Sequence, residues 1–251
     1  MALSLPPSSG LALHLAAWEP NGSGGAGLLS GGPMATWRNR GSGVADATQA
    51  TAANQPTWKA AANRWPAVSF DSVSDRFTIP SSTTTLKFIH ETGVFDIFIC
   101  ARASKNAYGI IAGSAFNGGE LGFLVERQPN PEAYLQLFLF LGASGYRSHS
   151  TYGLGTPSRN FEAGVVNKML FRASGVGTQI QSSQGFASFT SGGGVLPALP
   201  TGNATNDVTV GSYGAAHFLG GDLLDFAIYN RNLSAGELTT MSTYFSERYG
   251  C

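Results

Sequence analysis

Charge is scarce in this chain. Only 12% of its 251 residues are Asp, Glu, Lys or Arg, and 15 basic residues balance 15 acidic ones. With no net charge, there is no field to steer it onto nucleic acid or an anionic membrane face. Cysteine is scarce too, with Cys100 and Cys251 the only two. Cys100 closes the apolar run "VFDIFIC" and reads as a small buried hydrophobe. A bridge to Cys251 is the alternative, but two cysteines make no secreted disulfide framework. Long apolar runs are missing: none approaches the ~20 residues of a membrane-spanning helix. The opening stretch has no Lys or Arg ahead of its apolar residues and is cut by Pro6, Pro7 and Gly10. It makes a poor secretion signal. The expectation is a soluble protein made in a cytoplasm, with neither nucleic acid nor membrane as partner.

Glycine, by contrast, is abundant at 33 residues, well above the usual ~7%. Glycine scattered among many short apolar runs reads as all-β with many turns. "LALHLAA" (Leu11–Ala17) alternates and predicts a first strand with Leu11, Leu13 and Leu15 on the core face. From Glu19 to Lys59 the chain is Gly- and Ala-rich without periodicity, which predicts ordered loops folded onto one edge of a sandwich. Strand signals then become regular: "PAVSFD", "DRFTIP", "VFDIFICARA", "YGIIAGS", "ELGFLVER", "AYLQLFLFLG", "AGVVNKMLFRASG", "GFASFT", "DVTVGSY" and "GGDLLDFAIYNR". About eleven strands at this spacing indicate a sandwich or barrel. Residues 1–251 read as one domain, since no linker splits the chain. One helix follows the last strand. Ser234 and Glu237 form a capping box, Leu238, Met241 and Phe245 share a face, and Gly250 supplies the stop. That apolar stripe must dock on a sheet.

A strand, then "YNR", "LS" and an amphipathic helix ending in "RYG" resembles the C-terminus of concanavalin A-like, laminin-G-like jelly rolls of bacterial and phage proteins. "LALHLAA" resembles their opening strand. "TWRNRGSGVADATQATAANQPTW" (Thr36–Trp58) resembles their Trp–Asp–Ser–Gly segment with its Gln-Pro-Thr-aromatic element, and "WPAVSFDSVSDRF" the strand after it. The resemblance implies an all-β, two-sheet antiparallel jelly-roll sandwich with one short C-terminal α-helix. It also implies one concave sheet able to hold carbohydrate. Asn39 stands where relatives often have Asp, and Gly41-Ser42 reverses the usual order. Those departures put in doubt any calcium site the family segment supports, so no cofactor is assigned, with Ca²⁺ as the alternative.

Catalytic constellations are absent from the sequence. A sandwich glycosidase needs a pattern such as Glu-x-Asp-x-x-Glu, because alternate strand residues share a face and two carboxylates must flank a sugar. Glu120 and Glu126 share a face but lie about 20 Å apart along an extended strand, beyond the ~5–10 Å of glycosidase pairs. Asp222 and Asp225 point to opposite faces, and Asp225 reads as an anchor for a turn or neighbouring strand. His14, His90, His149 and His217 show no metal-ligand spacing, no serine sits in a triad pattern, and "GGELGF" lacks the Lys-Ser/Thr of a phosphate loop.

No catalytic or metal residue is therefore assigned. Trp18, Trp58, Tyr146, Arg147, His149 and Tyr152 are the candidate ligand contacts, since sugar C–H faces stack on aromatics while polar side chains bond hydroxyls. Each is weighed against a bland reading: edge packing for Trp58, a plain exposed loop for His149 in "GYRSHSTYG". The functional expectation is a non-enzymatic binding or assembly module. Its most concrete form is a phage virion protein, of head-decoration or fibre type, whose partners are other capsid proteins or further copies of itself. The alternatives are a carbohydrate-binding lectin module directed at cell-surface glycans and, behind it, a glycan-active hydrolase.

Overall fold

The computed structural model describes residues 4–62, 64–104, 108–129, 134–151, 164–214 and 216–251. Strands dominate. In chain order they are β1 (Leu11–Ala16), β2 (Gly32–Pro33), β3 (Thr36–Trp37), β4 (Ala47–Thr48), β5 (Thr57–Ala62), β6 (Trp65–Asp71) and β7 (Phe77–Ile79). Two single-turn helices follow, α1 (Ser82–Thr85) and α2 (Phe88–Glu91). Then come β8 (Val94–Ala103), β9 (Gly109–Gly113), β10 (Leu121–Gln128), β11 (Tyr134–Leu141), β12 (Tyr146–Ser150) and β13 (Asn167–Ser174). The chain closes with β14 (Gln179–Ser183), β15 (Thr190–Val195), β16 (Val208–Val210), β17 (Gly220–Tyr229) and α3 (Ala235–Tyr249).

The strands form two antiparallel sheets. One has nine strands in the order β15-β14-β13-β8-β17-β6-β5-β2, with β1 also paired to β17. The other has eight, ordered β12-β11-β10-β9-β16-β7-β4-β3. The core lies between them and is set by alternation. Leu135, Leu137 and Leu139 of β11 meet Phe95, Ile97 and Ile99 of β8 in one buried cluster, with Trp37, Phe77, Phe123 and Phe171 among its largest members. Each such ring removed from water contributes roughly 1.5–3 kcal/mol.

The middle of β8 is apolar on its other face as well, and α3 is the reason. Phe98 and Cys100 pack with Leu238, Met241, Tyr244, Phe245 and Tyr249 in a second cluster. The capping box is formed: Glu237 N donates to Ser234 Oγ at 3.4 Å and Ser234 N to Glu237 Oε2 at 2.9 Å. Gly250 ends the helix at φ 65°, a left-handed conformation that glycine adopts without strain. Beneath α3 the carboxylate of Asp225, fully buried, accepts hydrogen bonds from Tyr244 at 2.5 Å and Tyr249 at 2.9 Å. His14 Nε2 of β1 sits 3.2 Å from its other oxygen. Asp225 thus anchors the helix as well as the neighbouring strand.

Several local expectations need correction. Residues 19–59 are not all loop: they hold the short strands β2, β3 and β4 and the start of β5, which lie at an end of each sheet. "GFASFT" is not a strand; β15 begins at its last residue, Thr190, where pairing with Ser182 becomes available. "GYRSH" is not loop but β12, held in register by β11. Asn39 Nδ2 donates to the carbonyls of Val44 at 2.7 Å and Gly41 at 3.3 Å, so an amide ties this turn together. Cys100 and Cys251 are both free thiols, with their sulfurs 3.6 Å apart.

Candidate functional site

The two sheets differ in what covers them. α3 seals the outer face of the nine-stranded sheet. On the eight-stranded sheet, residues of β9, β10 and β11 and the adjoining loops gather instead into a small cluster of their own: Ile110, Ala115, Leu124 and Phe140, with Tyr108, Phe116, Phe138 and Tyr213 packed around them.

Register builds it. β11 alternates leucine inward and phenylalanine outward, so Phe138 and Phe140 share the outer face at 5.9 Å between ring centres. Gly142 and Gly145, both at positive φ, reverse the chain so that Tyr146 falls opposite Phe140. Tyr146 closes on Phe138 at 5.6 Å and on Phe140 at 6.1 Å. It stays 52% exposed. On the other side Phe116 stacks on Tyr213 and on His217, each at 5.0 Å. Between these walls lies a groove of about 280 Å³, bordered also by Asn117, Gly118 and Leu124.

Glu126 of β10 forms its floor. The side chain is only 4% exposed, and its two oxygens accept from Tyr108 OH at 2.5 Å and from Gln128 Nε2. Burial, then the Glu126 carboxylate, push the Tyr108 hydroxyl well above the ordinary tyrosine range. Glu120 stands at the rim, where its carboxylate accepts from Phe116 N at 2.5 Å, Asn117 N at 3.0 Å and Tyr213 OH at 3.1 Å. Burial and Glu120 raise Tyr213 to about 12, so it remains a donor. The arrangement suits a flat, hydroxylated ligand: rings to stack on its C–H face and a carboxylate to receive its hydroxyls.

Of the residues picked out from sequence, Tyr146 lies in this groove. Arg147 and His149 belong to the opposite, inward phase of β12. Arg147 donates to the carbonyls of Tyr146 at 2.9 Å and Val195 at 3.3 Å. His149 is 6% exposed and pairs with Ser182 Oγ of the other sheet at 2.8 Å, so it is a buried inter-sheet contact and not the exposed loop residue expected. Trp58 is buried in the main core with Nε1 donating to Ala17 O. Trp18 lies by α3, half-buried between the guanidiniums of Arg40 and Arg248, at 4.5 and 4.0 Å. Tyr152 lies outside the described residues. Phe116, Phe138 and Phe140 were not singled out from the sequence.

Other depressions offer less. One of about 530 Å³ runs between α3 and residues 185–189, but its Arg172 is already committed to Asp96 and to Leu233 O. Among the described residues no three His, Cys, Asp or Glu side chains come together as a metal site requires. No helix among them is long and apolar enough to cross a membrane.

No family model and no curated protein matches this sequence. Solved structures do resemble the fold. Domain 4 of AbnA, a GH43 extracellular arabinanase of Geobacillus stearothermophilus in complex with arabinotriose, superposes over 94% of this chain and 100% of its own, with a TM-score of 0.59 and 11% identity. The sialidase of Trypanosoma rangeli gives a TM-score of 0.57 at 15% identity over 94% of this chain, which spans only 33% of the sialidase's length. The Ruminococcus gnavus IT-sialidase CBM40 bound to α2,3-sialyllactose gives 0.50 at 12% identity, covering 70% of this chain and 95% of that one. The fold is the concanavalin A-like jelly-roll sandwich. At these identities the likeness concerns fold alone.

Proposed function

We propose that this protein is a non-catalytic carbohydrate-binding module, and that the groove over Glu126 is its glycan site. The observation that carries the reading is Tyr146: a 52% exposed aromatic ring held against Phe138 and Phe140, above a carboxylate, on the outer face of the eight-stranded sheet. Two of the similar folds hold oligosaccharides, arabinotriose and sialyllactose. Binding without catalysis fits the acids. Among the described residues bordering the groove Glu126 is the one carboxylate, the Glu120 oxygens are held by Phe116, Asn117 and Tyr213, and Asp225 lies beneath α3 on the other sheet. A retaining or inverting glycosidase places two free carboxyls about 5–10 Å apart across the sugar.

Tyr146→Ala and Phe138→Ala tested on a glycan array, with calorimetry on the hits, decide the matter. Each change is expected to weaken binding by about 1–3 kcal/mol, the range for loss of an aromatic anchor at an interface. An unaltered profile in both variants removes the groove from consideration.

The second reading is an assembly module on a phage particle. One feature favours it: Leu29, 81% exposed, stands in the Gly-rich segment at 19–59. Sedimentation of wild type against Leu29→Ser tests it, self-association lost in the variant being the expected result.

A further inference from the structure

We infer that the groove selects neutral glycans and rejects acidic ones, with Glu126 as the discriminating residue. The inference rests on the groove being the glycan site and names the class of sugar it takes.

The charges carry the argument. Among the described residues bordering the groove, the single ionic group is the Glu126 carboxylate, and none is Lys or Arg. The next acid, Glu120, sits at the rim on Tyr213 and Phe116 N. The guanidiniums nearest in sequence are turned away. Arg127 falls on the inward phase of β10 and is 1% exposed. Arg147 reaches past the edge of β12 to Val195 O of the other sheet. Among the described residues a sugar carboxylate entering here meets no cation to replace its water, and it faces another carboxylate at close range. Both effects oppose binding, and in a partly desolvated groove they are weakly screened.

Hydroxyls meet the opposite situation. A carboxylate accepts about four hydrogen bonds. Tyr108 and Gln128 fill one site on each oxygen. Two acceptor sites therefore remain for a pair of neighbouring sugar hydroxyls, the donors a neutral ring offers. Asn117, exposed at the border, adds an amide that both donates and accepts. Specificity of this kind comes from the repulsive element as much as from the attractive one.

The test is titration calorimetry of the full chain with a panel of neutral oligosaccharides, arabinotriose and lactose among them, and with 3'-sialyllactose, on wild type, E126Q and Y146A. The expected result is binding of at least one neutral sugar, with 3'-sialyllactose weaker by roughly tenfold or more, and loss in Y146A. In E126Q, verified as folded by circular dichroism, the ratio between neutral and acidic sugar falls toward one. Sialyllactose binding as tightly as the best neutral sugar, and lost in Y146A, overturns the selection while leaving the groove as the site. Binding of any sugar that Y146A leaves intact overturns both, as does a panel with no binding at all. An E126Q ratio equal to that of wild type removes Glu126 from the role.

Discussion

Acid should loosen this sandwich at one identifiable joint. His149 projects from β12 into the space between the sheets and meets Ser182 Oγ of β14 at 2.8 Å. Burial lowers its pKa from 6.5 to about 4, because a charged imidazole there loses its water. Folded protein therefore keeps the ring neutral where the unfolded chain already binds a proton. Stability from this group is complete above pH ~6.5 and drains as pH falls toward ~4. At about 1.4 kcal/mol per unit, the shift corresponds to about 3 kcal/mol of unfolding free energy lost over that window. The assay is urea unfolding of wild type and His149→Gln at several pH values between about 7.5 and 4. Gln retains a polar contact for Ser182 but cannot titrate. Taking the difference between the two proteins at each pH cancels every other group. The wild type should lose about 3 kcal/mol relative to the variant on acidification. If the two proteins fall in parallel, the neutral buried imidazole is not what the acid attacks, and the reasoning fails.

Two further perturbations probe other parts of the fold. Burial, with the Asp71 carboxylate close by, raises Asp75 to about 6. A raised acid destabilises the fold once ionised, so its effect grows as pH rises from ~4 to ~6, opposite in sign to His149. Asp75→Asn should stabilise the protein by about 1–3 kcal/mol at pH 7 and by almost nothing at pH 4, read from paired melting curves. Phe245→Ala removes a fully buried ring that meets Phe98, Phe186 and Tyr249. It should cost about 3–5 kcal/mol in denaturant unfolding, yet leave glycan affinity unchanged, since the groove is on the opposite sheet. A matching loss of affinity in folded Phe245→Ala protein contradicts the separation of the two faces.

Signals confined to a few neighbouring residues were readable from the sequence, and signals that depend on pairing were not. Ser234, Glu237 and Gly250 announced α3 because caps act within one turn of chain. Leu11, Leu13 and Leu15 announced the first strand because alternation is local. The groove is different. "YLQLFLFLG" is apolar on both faces, and nothing in it tells which face a second sheet will cover and which stays open. Tyr146 stood out as an aromatic beside turn glycines, but Phe138 and Phe140 did not. Their place on the outer face of that sheet, in a cluster apart from the main core, follows from strand pairing, a property of topology. His149 was misread for a related reason. "GYRSHS" has no apolar alternation, and only its eight-residue neighbour β11 makes it a strand with His149 inward.

The carboxylate of Asp225 has an implication for how the chain comes to be folded at all. Its donors Tyr244 and Tyr249 lie 19 and 24 positions further on, and Tyr244 in turn lies 230 positions from His14. On a ribosome these tyrosines are still inside the exit tunnel when β17 first emerges. Until they appear, the outer face that carries Asp225 is open to water, because α3 is the element that covers it. The helix that buries the charge therefore also delivers its donors, and this layer sheds its water in a single step when α3 arrives.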